Sequence, residues 1–168
     1  MLKSFFIRKP PTPFSSAWLS DHADSSSRSD FESAARSEGA QAIYHVTSLG
    51  RAQSIVEQGV IFGVDTVSAA HFHHDISKAS DQAEGSGAVL GFTWHGQVKQ
   101  PSYLNDSATH TDRRPNILFD VPRSEYDTST WEMRLYPGTT GLELTFVEIG
   151  EEAFLLREPI LLRVVARY

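Results

Sequence analysis

Ile43-Tyr44-His45-Val46-Thr47-Ser48, LGRAQSIVEQ over residues 49–58, and Gly59-Val60-Ile61-Phe62 form one continuous run whose local character changes twice. Residues 43–47 are rich in β-branched and aromatic side chains and read as a short strand. From Leu49 to Gln58 the apolar positions Ala52, Ile55 and Val56 make one helical stripe. Ser48 is placed to cap that helix, and Gly59 supplies its stop. Val60-Ile61-Phe62 then returns to strand. Side chains alternate along a strand, so Ile43, His45 and Thr47 share one face while Tyr44 and Val46 share the other. A histidine and a threonine projecting together from the start of a core are unusual for packing alone. They become the first candidates for ligand contact.

Outward from this unit the pattern stays strand-rich. Residues 70–87 are polar and read as a loop. Gly87-Ala88-Val89-Leu90-Gly91-Phe92-Thr93-Trp94 reads as a buried strand, whose glycines mark a close approach of another backbone or a ligand. Residues 97–115 are loop-like, and 116–121, 131–136 and 142–149 are strand candidates. The last strands, 153–156 and 161–166, are joined across Glu158-Pro159. Many short strands with one clear helix give an α+β class.

Upstream, Thr12 to Ser37 holds nine serines and little periodic apolar pattern. Such a composition predicts a disordered leader over residues 1–38, either a flexible tail or a delivery segment, ahead of one domain over 39–168. At 168 residues the chain supports one ordinary core. The net charge of −6 with scattered Lys and Arg argues against extended nucleic-acid binding. The absence of cysteine removes disulfides, a thiolate nucleophile and a thiolate zinc site. It fits a cytoplasmic protein, and equally one secreted or translocated in an unfolded state. No apolar run approaches the roughly 18 residues that span a bilayer, so no membrane is expected. Phe5-Phe6-Ile7 is too short for the core of a secretory signal.

Two ends of the expected domain suggest a family. Ile43-Tyr44-His45-Val46-Thr47-Ser48, the helix ending in Glu57-Gln58-Gly59-Val60, and the later Gly85-Ser86-Gly87-Ala88-Val89-Leu90-Gly91-Phe92 resemble the opening of the ADP-ribosyltransferases. The branch concerned is the one related to diphtheria toxin and the poly(ADP-ribose) polymerases. The C-terminal run from Glu151-Glu152-Ala153-Phe154-Leu155-Leu156 to Leu161-Leu162-Arg163-Val164-Val165 resembles that family's catalytic-glutamate strand and closing strand. The resemblance covers about residues 42–95 and 148–168. It implies a split, mainly antiparallel sheet with few helices and NAD⁺ as substrate. ADP-ribose would pass to a macromolecular acceptor, a protein, as in a bacterial toxin or secreted effector.

Under this resemblance Glu152 is the catalytic carboxylate, with Glu151 its nearest rival and Glu132 a further one. Cleavage of the nicotinamide–ribose bond passes through an oxocarbenium-like state that a carboxylate stabilises. His45 would bond a ribose hydroxyl, Thr47 would support it from the same face, and the backbone of Val46 would grip the nicotinamide. The family usually has Gly at the position of Val46 and a Tyr in its second strand to stack on nicotinamide. Here Phe92 or Trp94 is expected to stack instead, with Tyr103 and Tyr126 in reserve. Arg113-Arg114 is a candidate for the pyrophosphate. Two alternatives remain: a non-catalytic NAD⁺ or nucleotide-binding module of the same fold, and a related enzyme. The related enzyme is an NAD⁺ glycohydrolase or an RNA 2′-phosphotransferase-like protein, the latter expected to show a basic groove. His71-Phe72-His73-His74-Asp75 invites a metal reading, but no distant partner ligand is evident, and the expectation is no metal.

Overall fold

A computed structural model describes residues 9–63, 70–73, 87–95, 132–135, 137–139 and 141–166. In chain order the elements are α1 (Ser16–His22), β1 (Ala23–Ser25), α2 (Arg28–Ser37), β2 (Gln41–Ser48) and α3 (Leu49–Gln58). They continue with β3 (Val60–Phe62), β4 (Ala70–His73), β5 (Gly87–Trp94), β6 (Glu132–Leu135), β7 (Leu142–Ile149) and β8 (Glu152–Val165). The fold is α+β with a mostly antiparallel sheet. Among the described residues the strand order is β1-β8-β7-β5-β2-β4-β6, and β3 joins β8 in parallel. None of the described helices is long and apolar enough to cross a membrane.

The strand–helix–strand unit forms as its residues require. Ser48 accepts a hydrogen bond from the Arg51 N–H at the start of α3, and Gly59 ends the helix at φ 72°. Ala52 and Ile55 point inward. They pack on Ile43, Ala88 and Leu90, so α3 covers one face of the sheet centre.

Residues 12–37, expected to be disordered, are ordered in the structure. Ser15 caps α1 by accepting from the Trp18 N–H, and Ser27 caps α2 by accepting from the Asp30 N–H. Serines that compositional reasoning counts as disorder-promoting here satisfy helix ends. Phe14 and Trp18 meet edge-to-face at 5.0 Å and join the α3-side core. Phe31 and Ala35, one helical turn apart, are the buried residues of α2, and Phe31 packs on the opposite face with Tyr44, Val89 and Phe146. β1 extends the sheet by pairing Ala23 with Leu156 and Ser25 with Phe154. The Arg157 guanidinium bonds the Asp24 carboxylate and the carbonyls of Asp21 and Ala23, tying this segment to β8. Residues 9–38 are thus part of the folded body.

Two further expectations change. Residues 70–73, read as loop, form β4, which pairs Tyr44 with His73 and lies between β2 and β6. The two C-terminal strands are one strand, β8, whose pairing with β7 shifts register between Leu144 and Phe146. Glu158-Pro159 sits within that shift, where a missing N–H costs the ladder least. The strand expected over 116–121 lies outside the described residues. The β5 glycines were expected to mark the approach of another backbone or a ligand; at Gly91 it is side chains that approach. A Cβ there would lie 2.7 Å from Phe146 Cδ2 and 2.9 Å from Phe31 Cε2.

In limited trypsin digestion of the native protein, cleavage after Arg28 and Arg36 should be slow, because both lie in docked α2. Rapid trimming there from an intact remainder would show that α2 does not hold. Gly91→Ala should destabilise the fold by about 1–3 kcal/mol through overpacking, measured by urea unfolding. An unchanged midpoint would mean that the two rings move aside freely.

Candidate functional site

Directly opposed residues in antiparallel strands project to the same face, so the register itself maps the expected site. Thr47 pairs with Ala88, Ala88 with Ile149, and Ile149 with Glu152. Thr47 and Glu152 therefore stand in one cross-strand row on the α3 face, three strand spacings or about 14 Å apart. The adjacent row on that face runs His45, Leu90, Val147 and Phe154. His45 is half-buried, with its ring centroid 5.4 Å from that of Phe72. Glu152 is exposed at the first position of β8, and Glu151 is exposed in the turn before it. Val46 is in register with Val89, and its side chain packs against the cluster on the opposite face. Its Cβ therefore takes no space on the face shared by His45 and Thr47.

Phe92 and Trp94 do not take the role expected of them. Their exposures are 0% and 2%, and both belong to the α3-side core. Phe72 packs edge-on against Phe92 at 5.6 Å. A stacking platform must offer a ring face to its ligand, and neither ring has one to offer. The physical cause is parity: both project to the face that α1 and α3 cover.

Glu132 pairs with His73, which pairs with Tyr44, so it lies two strands from β2 on the side away from Glu152. His71 and His73 belong to β4, opposite Arg134 and Glu132. His74, Asp75, Tyr103, Arg113, Arg114 and Tyr126 lie outside the described residues. A cavity of about 330 Å³, lined by Pro10, Pro11, Pro13, Trp18, His22 and Glu57, includes none of the expected site residues.

The α2 face carries a polar network that sequence reasoning missed. Tyr44 is fully buried and donates its hydroxyl to Glu32 Oε2 at 2.8 Å. Arg28 makes a two-point contact with Glu148, through Nε to Oε2 and through Nη2 to Oε1 at 2.6 Å. Burial, and then the hydrogen bond to Glu32, hold the Tyr44 phenol well above the ordinary tyrosine range. Tyr44 is therefore a fixed donor and not a proton carrier at neutral pH. The Glu148 contact raises the Arg28 guanidinium further above its usual value. Two network members, Arg28 and Glu32, fall in the serine-rich segment. The apolar spacing of Phe31 and Ala35 behind the Ser27 cap was the available signal for their helix.

A tyrosine whose folded-state pKa is raised stabilises the fold fully below its unfolded value, near pH 10, and loses that contribution as pH rises beyond it. Tyr44→Phe should cost about 1 kcal/mol at pH 7 and flatten the loss of stability above about pH 10. Unfolding midpoints from pH 7 to 11 measure both. An unchanged alkaline slope would assign that loss to other groups.

Comparison with known proteins finds no matching family model, no matching curated protein and no matching solved structure. What the chain does is read from its own residues and their arrangement.

Proposed function

We propose that the protein is an NAD⁺-consuming ADP-ribosyltransferase, with Glu152 as the catalytic carboxylate and His45 and Thr47 as NAD⁺ contacts. The observation that carries this reading is the shared face: Thr47 and Glu152 occupy one row, and His45 the next, despite lying over a hundred residues apart in sequence. Between Thr47 and Glu152 stand Ala88, fully buried, and Ile149, packed against the α3-side core, so a dinucleotide joining the two ends of the row would pass around the rim of that core. The mainly antiparallel sheet, with β2 leading into α3 and pairing with β5, supports an ADP-ribosyltransferase-like architecture. Glu152 is favoured over Glu151 because it lies in the row itself, on strand backbone that holds a side chain more firmly than a turn does.

In this mechanism NAD⁺ reaches from His45 and Thr47 with its nicotinamide riboside toward Glu152. The carboxylate accepts from the ribose 2′-hydroxyl and stabilises positive charge as the bond to nicotinamide breaks. The acceptor then attacks the anomeric carbon, nicotinamide leaves, and the acceptor's proton passes to a base or to solvent. The acceptor is a macromolecule, with protein the first candidate, and a role as a bacterial toxin or secreted effector accompanies that reading.

A second reading is a non-catalytic NAD⁺-binding module on the same scaffold. The burial of Phe92 and Trp94 favours it, because it removes the expected platform for nicotinamide.

Labelled NAD⁺ incubated with the protein and a cell lysate separates the readings. The enzyme transfers label to protein and releases nicotinamide. A glycohydrolase releases nicotinamide without transfer, and a binding module only shifts the melting temperature. Glu152→Gln should lower transfer about 10²-fold while leaving folding and NAD⁺ binding nearly intact, since it removes charge and keeps size. His45→Ala should weaken NAD⁺ binding more than it slows turnover. Full transfer by Glu152→Gln would remove this residue from the chemistry.

A further inference from the structure

Three metal-ligating side chains converge at one end of the α2 face, away from the row proposed for NAD⁺. Glu38 closes α2, His95 directly follows β5, and Glu143 is the second residue of β7. Backbone bonds hold each in place. Glu38 N–H donates to Ala35 O at 3.1 Å, and Gly39, left-handed at φ 70°, turns the chain toward β2. His95 N–H donates to Gly141 O at 3.1 Å, locking the end of β5 to the start of β7. Glu143 is the register partner of Thr93, and His95 lies two residues beyond Thr93, so both project to the face over which α2 ends. The ligand atoms of Glu38, His95 and Glu143 all lie within 4.8 Å of one another, and His95 Nε2 is 3.2 Å from Glu143 Oε2.

We infer that Glu38, His95 and Glu143 form a site for a divalent transition metal, with zinc the ion that fits the donor set best. The imidazole decides the class of ion. Calcium and magnesium favour all-oxygen shells, whereas one nitrogen with two carboxylate oxygens suits zinc and its neighbours. The ligands come from three separate elements, as metal sites built by tertiary structure require, and three protein ligands leave a position for water. Around zinc, with bonds of about 2.0–2.1 Å, tetrahedral ligand atoms stand about 3.4 Å apart. Glu38 and His95 are exposed, so side-chain rotation closes the remaining gap without moving backbone. Two carboxylates held this close repel each other, and a cation between them converts that repulsion into attraction. Bound metal would fasten the C-terminal end of α2 to the ends of β5 and β7.

The test uses the full chain, stripped of metal with a chelator and titrated with zinc chloride by calorimetry, with melting temperature followed in parallel. The expected result is saturable binding of one zinc per chain and a melting temperature that rises with zinc. His95→Ala, Glu143→Gln and Glu38→Gln should each weaken binding by about tenfold or more, since even changes behind a ligand cost that much. Circular dichroism checks that each variant remains folded. Absence of saturable zinc binding by the native sequence would overturn the proposal. So would unchanged affinity in any folded variant, which would direct attention to the histidine-rich run over 71–75. Failure here leaves the NAD⁺ reading standing, because the two sites share no residue.

Discussion

At Gly91 the sheet gives up a side chain, and the rings of Phe31 and Phe146 occupy the room. The two rings stack at 4.8 Å with an interplanar angle of 11°, and Tyr44 meets Phe31 edge-on at 5.4 Å. Tyr44, Gly91 and Phe146 are register partners across three neighbouring strands, so the aromatic cluster lies directly over the sheet centre. This close approach seats α2. With α2 seated, Arg28 reaches Glu148, Glu32 receives the Tyr44 hydroxyl, and Glu38 arrives beside β5 and β7. The polar contacts on this face therefore depend on a packing choice made at one glycine.

The two faces of the sheet divide the molecule's work. The α3 face holds the larger apolar core and, toward the β2–α3 junction, the row from Thr47 to Glu152. The α2 face holds the smaller aromatic cluster with its ring of charged partners. Strand parity alone assigns each residue to one side. That is why His45 and Val46, adjacent in sequence, cannot serve the same pocket through their side chains.

The parts of the fold legible in the sequence were those where periodicity and end signals agree. Residues 48–59 state their cap, their stripe and their stop, and the structure follows them, with Ala52 and Ile55 buried and Val56 half-buried at the stripe's edge. The strands over 87–94 and 142–149 were equally plain. The N-terminal segment was misread because serine count outweighed serine position. Ser15 and Ser27 cap helices whose apolar content is only a few large residues, and those residues are buried by partners far away in sequence. β8 was divided because Glu158-Pro159 looks like a turn, and only a neighbouring strand can show that it is an irregularity within one. For the candidate site, sequence showed which residues share a strand face but not which face lies under helices. Phe92 and Trp94 read identically as core and as platform until α1 and α3 are placed.

The pairing of β1 with β8 has a consequence for how the molecule forms. Asp24 and Arg157, joined across that edge, are 133 positions apart, and Arg28 and Glu148 are 120 apart. Contacts of such sequence separation are slow to close, because the loop between them must lose its freedom before the contact returns anything. During synthesis β1, α1 and α2 emerge long before the strands that bury Trp18 and Phe31. Until β7 and β8 leave the ribosome those aromatic rings have no completed sheet to cover, and the nascent chain exposes them throughout that interval.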